Sequence, residues 1–285
     1  MNEILPNPSD ENEIPKEWRD VMERKEKTTA EDLREAQVGC FNASHDVSEI
    51  SYNYLNRLGE NSTNYNEQQL KDFSDSANSI RDYYHNLTED CINLILHAAF
   101  RGKAVDGLPS ISNLNNTFLT KERRLKEVEG LDGTLQNSIN KIITTIDPES
   151  YPDETIEQVL NNAATGKELS ILLYDYATDP TNEDSRIAFE KFCKNTREAE
   201  GNSFKKLSEL LDKKGYDANL VLFTKDLAGA LPIRKESFYN SLLEYTQLAH
   251  RLKSEISGTE AIHEVRNEID STPSEDSEYS KEGFV

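Results

Sequence analysis

Apolar residues return every three or four positions along most of this chain, and the stretch LPIRKESFYNSLLEYTQLAHR, Leu231–Arg251, shows the pattern most plainly. Phe238, Leu242, Tyr245, Ala249 and Leu252 fall on one side of a predicted helix, and that side must be buried against other helices. Pro232 suits the first turn, where a missing N–H costs nothing and a fixed φ is already helical. Asn240, Glu244, Gln247 and Arg251 repeat at the same interval on another face. So regular a polar set marks that face as the place to look for function.

The same period predicts helices elsewhere. Thr29 is a fitting N-cap, with Glu31 and Asp32 in the first turn of a helix through Leu33, Ala36 and Cys40 toward Ala43. Val47, Ile50, Tyr54 and Leu58 form the next stripe, ended by Gly59. A long helix then keeps Leu70, Phe73, Ala77, Ile80, Tyr84, Leu87, Cys91, Leu94 and Ala98 on one face until Gly102 to Pro109 breaks it. After a charged start at Lys121, Leu135, Ile139, Ile142 and Ile146 follow the period, and Asp147-Pro148 stops it. Ile156, Val159 and Leu160, then Leu169, Leu172, Leu173 and Tyr176, predict helical pieces around Gly166, followed by the acidic loop TDPTNED. Further stripes are Phe204, Leu207 and Leu211, then Leu220, Phe223 and Leu227, and finally Ile262, Val265 and Ile269. No segment alternates with period two. The expected fold is all-α, an antiparallel bundle.

Residues 1–15 scatter Pro6, Pro8 and Pro15 among acids and Asn, as in a disordered arm. Trp18, Val21 and Met22 would dock a short charged helix. One helical domain is expected over 16–270, with a flexible acidic tail over 271–285. In 285 residues with a formal net charge of -21, nucleic acid and anionic membranes are disfavoured as partners, and basic peptides are attracted. A phosphate site would need a strong local positive cluster. No apolar run approaches the roughly 20 residues that span a bilayer, and the N-terminus lacks a signal-peptide layout, so a soluble cytoplasmic protein is expected. Cys40, Cys91 and Cys193 are read as buried thiols. His45, His85, His97, His250 and His263 show no metal-site spacing, and neither a phosphate loop nor a nucleophile motif is present, so no metal, no cofactor and no enzyme are expected.

Pro232-Ile233-Arg234 followed by Asn240 resembles the seventh helix of the 14-3-3 family, which opens on Pro-Ile-Arg and carries a peptide-binding Asn at this interval. Leu131–Pro148 resembles that family's fourth helix, Ser185–Phe192 the start of its fifth, and Ser257–Ala261 the opening of its eighth. The resemblance implies a non-enzymatic adaptor. Nine antiparallel helices would form a cup, two cups would dimerise through their N-terminal helices, and each groove would hold a phosphoserine or phosphothreonine peptide.

Matching Asn66–Phe73 to the start of the family's third helix puts Ser74 where a Lys is expected, Arg81 at the Arg and Tyr84 at the Trp. A rival register through Phe100-Arg101 puts Leu108 at the Arg. In the fifth helix the phosphate-gripping role falls to Arg197, with Lys194 a turn earlier, and neither has a Tyr after it. Tyr174-Asp175-Tyr176 looks like the local motif but lies too far from Asn240. Asn240 would hold the peptide backbone, Leu243 would line the apolar side, and Gln247 replaces an acid. The chain stops at Val285, so the wall supplied by the family's ninth helix is expected to be missing or rebuilt.

Simpler readings stand beside these roles. Asn240 fits a solvated face, Arg81 fits half of a surface ion pair, and Arg197 and Lys194 sit beside Glu190, Glu198 and Glu200. Tyr83, Tyr84 and His85 read as packing. A structural helical scaffold without a working phosphate pocket is the alternative function.

Overall fold

A computed structural model describes residues 28–61, 65–100, 121–146 and 164–271, with side chains up to residue 257. Six helices account for nearly all of them: α1 Ala30–Glu60, α2 Glu67–Phe100, α3 Lys121–Ile146, α4 Gly166–Thr178, α5 Glu183–Lys213 and α6 Ala218–Ser271. No strand occurs among the described residues, so the all-α expectation holds. The expected arm, the segment around Trp18, the breaks at Gly102–Pro109 and Asp147-Pro148, the stripe from Ile156 to Leu160 and the tail beyond Ser271 lie outside them.

Neighbours alternate in direction. Thr28 N–H donates to Glu255 Oε1, Arg234 to Asp46, and Tyr54 shares a hydrogen bond with Thr224, so α1 runs antiparallel to α6. Tyr83 with Asp132 and Arg124 with Asp90 set α3 antiparallel to α2. Cys91 beside Ser170 and His97 stacked on Tyr174 set α4 parallel to α2. Helices α2, α4 and α6 therefore point one way and α1, α3 and α5 the other, around one core.

Several predicted features stand as expected. Thr29 caps α1 in a reciprocal box: its hydroxyl accepts from Asp32 N–H at 3.2 Å, and its own N–H donates to the Asp32 carboxylate at 2.6 Å. All three cysteines are free and buried. The stripe of α2 is buried from Phe73 onward, but Leu70 in its opening turn is 42% exposed.

Three boundaries differ from expectation. The two stripes Leu33–Ala43 and Val47–Leu58 belong to one helix, α1, which ends at Glu60, one residue past Gly59; Gly59 is buried against Phe73, 3.3 Å from where a Cβ would sit. Pro232 does not open a helix; it lies well inside α6. The true start is the turn before Ala218, where Gly215 at φ 76 closes α5, with Tyr216 N–H donating to Leu211 C=O at 3.0 Å. Pro232 deprives Ala228 C=O of its helical donor, and Gly201 of α5 packs there so closely that a Cβ would stand 3.0 Å from that oxygen. Last, Ser257-Gly258-Thr259 begins no new helix, because α6 runs through it to Ser271. A Ser or Gly in a helix interior costs only about 0.5–1 kcal/mol, too little to break a helix so long.

Two buried polar contacts join the helices. Asp132 of α3 accepts from Tyr83 Oη at 2.8 Å and from the N–H groups of Gly166 and Lys167 at 3.1 and 2.9 Å. It caps α4 from another helix, since Thr165 makes no side-chain cap of its own. Lys235 of α6 reaches Glu200 of α5 at 2.5 Å, with both side chains almost fully buried and the Tyr84 ring 5.7 Å from the ammonium. Burial alone would lower the Lys235 pKa, but the Glu200 carboxylate holds it well above the ordinary value.

Lys235→Met strands the Glu200 carboxylate and is expected to cost about 3–5 kcal/mol in denaturant titration, most of which Lys235→Met with Glu200→Leu restores. Gly166→Ala should cost about 1–3 kcal/mol by the same measurement, because its methyl would fall 2.7 Å from Asp132 Oδ1 and 2.8 Å from Tyr83 Oη.

Candidate functional site

Helix α6 is held on one side by α1 and on the other by α5, and the face between them turns outward. Arg234 pairs with Asp46 of α1 at 3.4 Å, and Arg197 of α5 donates through Nη1 to Glu236 Oε2 at 2.8 Å. Between these flanks α6 presents Ile233, 51% exposed, followed by Ser237 and Asn240, with Leu222 farther back at 57%. Asn240 is exposed one turn past Glu236, the residue that Arg197 bonds. Lys194, one turn before Arg197 on α5, is also exposed there.

Leu243 is half-buried and packs against the core beside this face. Arg197 does not pair with Glu190 or Glu198, and Glu200 belongs to Lys235; its partner is Glu236. The backbone explains the choice. Register between α5 and α6 is set by Glu200 against Lys235 and Gly201 against Ala228, which brings the preceding turn of α5 over Glu236.

Arg81 is elsewhere. Its guanidinium sits 5.7 Å from the Tyr52 ring on the α2-facing edge of α1. Asp46, which meets α6, is six residues before Tyr52, about 120° away around the α1 axis. Arg81 thus sits at the seam of α1 and α2, whereas Arg197 pairs at the seam of α5 and α6. Ser74 is exposed on α2, Tyr83 and Tyr84 are buried, and the exposed His85 lies against Phe41 with ring centroids 5.3 Å apart. Tyr174-Asp175-Tyr176 lies at the α3·α4 seam, where Lys121 Nζ sits 4.0 Å from the Tyr174 ring and 3.2 Å from Asp175. Arg101 and Leu108 of the rival register lie outside the described residues.

The patch offers charges and hydrogen bonds. Its groups are a guanidinium, an ammonium, a carboxylate and a carboxamide, all open to water. The thiols are withdrawn: burial pushes Cys40 to about 11 and Cys91 and Cys193 to about 12, out of the range of a reactive thiolate. Among the described residues no three His, Cys, Asp or Glu are placed to hold a metal ion, and no helix is long and apolar enough to cross a membrane. A second charged cluster lies far down α2, where the buried Arg124 stands 3.8 Å from Asp90 and its Nε has no partner among the described residues. Burial pushes the Asp90 carboxyl to about 6 against the pull of Arg124.

Sequence reasoning missed Glu236 and the pair beneath it. A signal existed for the pair: Lys235 falls in the stripe Leu231, Phe238, Leu242, and Glu200 falls in the buried stripe of α5 with Cys193, Thr196 and Ser203. Opposite charges on two facing apolar stripes point to each other. Glu236 carried no such mark.

Comparison with protein-family models, with curated proteins and with solved structures finds no match to this chain.

A thiol-specific aromatic disulfide at pH 8 should leave the native protein unreacted and titrate all 3 cysteines after denaturation. Fast reaction of any thiol in the native state would show that its withdrawal from solvent is incomplete.

Proposed function

We propose that this protein is a non-enzymatic adaptor of the 14-3-3 kind, binding an extended, phosphorylated segment of a partner protein along the outward face of α6. One observation supports the reading: Arg197, which the resemblance makes a phosphate ligand, bonds Glu236 one turn before the exposed Asn240, and Lys194 is exposed one turn before Arg197. Arg197 and Lys194 would take the phosphate, Asn240 would hold the peptide backbone through its carboxamide, and Leu243 and Ile233 would meet an apolar residue. Arg81, on the far flank of α1, takes no part in this version of the site. A nine-helix cup, pairing of two cups through N-terminal helices and a cytoplasmic setting belong to the same proposal.

A second reading, a helical scaffold that assembles partners through other surfaces, is favoured by one specific fact. Arg197 is already neutralised by Glu236, and the other arginine of the expected pocket lies at a different seam.

Titration with matched phosphorylated and unphosphorylated peptide libraries separates the two. The adaptor reading expects phosphate to tighten binding at least tenfold, Arg197→Glu to remove that gain, Asn240→Ala to weaken both forms, and Arg81→Glu to change little; a charge-assisted contact of about 1.5–3 kcal/mol corresponds to ten- to hundredfold. Partner binding that ignores both phosphate and the double variant Arg197→Glu with Asn240→Ala establishes the scaffold instead.

A further inference from the structure

We infer that Glu236 is a built-in competitor at this face: its carboxylate occupies Arg197 in place of a partner's anionic group, and a segment carrying such a group beside an aliphatic side chain binds by exchanging with it. The inference rests on the adaptor reading and names how the site is held closed and which partner chemistry opens it.

Two ion pairs between α5 and α6 stand side by side and differ in kind. Glu200 and Lys235 are sealed in the core with 7% and 5% of their side chains exposed, whereas Arg197 and Glu236 keep 51% and 36%. A sealed pair cannot part without leaving a charge stranded out of water. An exposed pair contributes at most about fivefold to an equilibrium, and water or another anion replaces either partner at little cost. Because the buried pair holds the helices in register, Glu236 can leave Arg197 without moving α5 or α6.

The surroundings favour an incoming anion. Lys194, Arg197, Gly201 and Lys205 form one stripe along α5, and Lys225 stands on the side of α6 that carries Ala228 and Pro232 toward it. Lys194, Lys205 and Lys225 are exposed, and no ion pair engages them among the described residues. Glu190, Glu198 and Asp226 are exposed among them, so what the seam offers an anion is three lysines that no ion pair engages, not a net positive field. Charges more than about 8 Å away are largely screened at physiological salt, so the groups nearest Arg197, Lys194 among them, weigh more than the total. By contrast the solvent face of α2 carries Asp75, Asp82 and Glu89. Along α6, Ile233 lies one turn before Ser237 and Asn240 and offers the aliphatic contact. Glu244, exposed one turn beyond Asn240, disfavours a second anion at that end, so the partner's acidic group points toward α5.

The experiment uses the full chain and one set of peptides of equal sequence, with Leu one turn from a central Ser, phosphoserine or Asp. Fluorescence polarisation at low and physiological salt should show Glu236→Gln tightening the phosphoserine and Asp peptides about two- to fivefold and leaving the Ser peptide unchanged. Arg197→Gln added to Glu236→Gln should abolish the gain. A gain for phosphoserine alone assigns the site to phosphate, and a gain for both assigns it to anionic groups generally. As a second readout, inorganic phosphate should shift the Arg197 Nε–H resonance at lower concentration in Glu236→Gln than in the unmodified protein. Unchanged or weaker anionic binding by Glu236→Gln, with an unmodified protein that still prefers phosphoserine, overturns the competitor role and leaves the adaptor reading standing. Absence of peptide binding by both proteins overturns both.

Discussion

The ion pair between Glu200 and Lys235 is the contact on which the arrangement of this protein turns. Both side chains are buried, and neither would tolerate the interior alone. Helices α5 and α6 must therefore meet in one register, because a slip by a turn would separate the charges. Tyr84 of α2 lies over the ammonium and Phe238 meets Tyr84 edge-on at 6.1 Å, so the same point also sets how α2 packs on α6. A sliding arrangement that parted this pair would leave a charge buried without a partner.

Asp132 does the corresponding work on the other side of α2. Helix α4 has no adequate cap within its own sequence, and its first N–H groups are satisfied by a carboxylate from α3 that Tyr83 also holds. Gly166 is required there because a Cβ would collide with both partners. Tyr83 and Tyr84, adjacent in sequence, thus point to different polar contacts and hold α3 with α4 on one side and α5 with α6 on the other. Burial raises the pKa of both hydroxyls, so each stays a neutral donor or acceptor.

The proposed function draws on what this scheme leaves on the outside. With register fixed from within, the exposed turn of α5 presents Arg197 beside Glu236 and Asn240 as a consequence, not as a requirement of stability. Pro232 and Gly201 assist: the proline leaves one carbonyl of α6 without a donor, and the glycine lets α5 approach it closely. A surface pair supported by a rigid buried pair can exchange partners while the backbone stays in place, which is the property a binding face needs.

The hydrophobic stripes made the helices legible from sequence, because burial of one face and a period of 3.6 are local properties of a chain. The cap at Thr29, the buried cysteines and the polar side of α6 could be read in the same way. Continuity of α6 through Pro232 could not, because it depends on neighbours that support the helix where a hydrogen bond is missing. The different seams of Arg81 and Arg197 were equally hidden: each is an exposed cation at helical spacing, and only the packing gives one Tyr52 and the other Glu236 as its neighbour. Asp132 capping α4, Lys235 meeting Glu200 and Glu236 taking Arg197 are contacts between residues far apart in sequence. Periodicity tells which side of a helix is inward; which helix lies there, and at what register, is decided by packing.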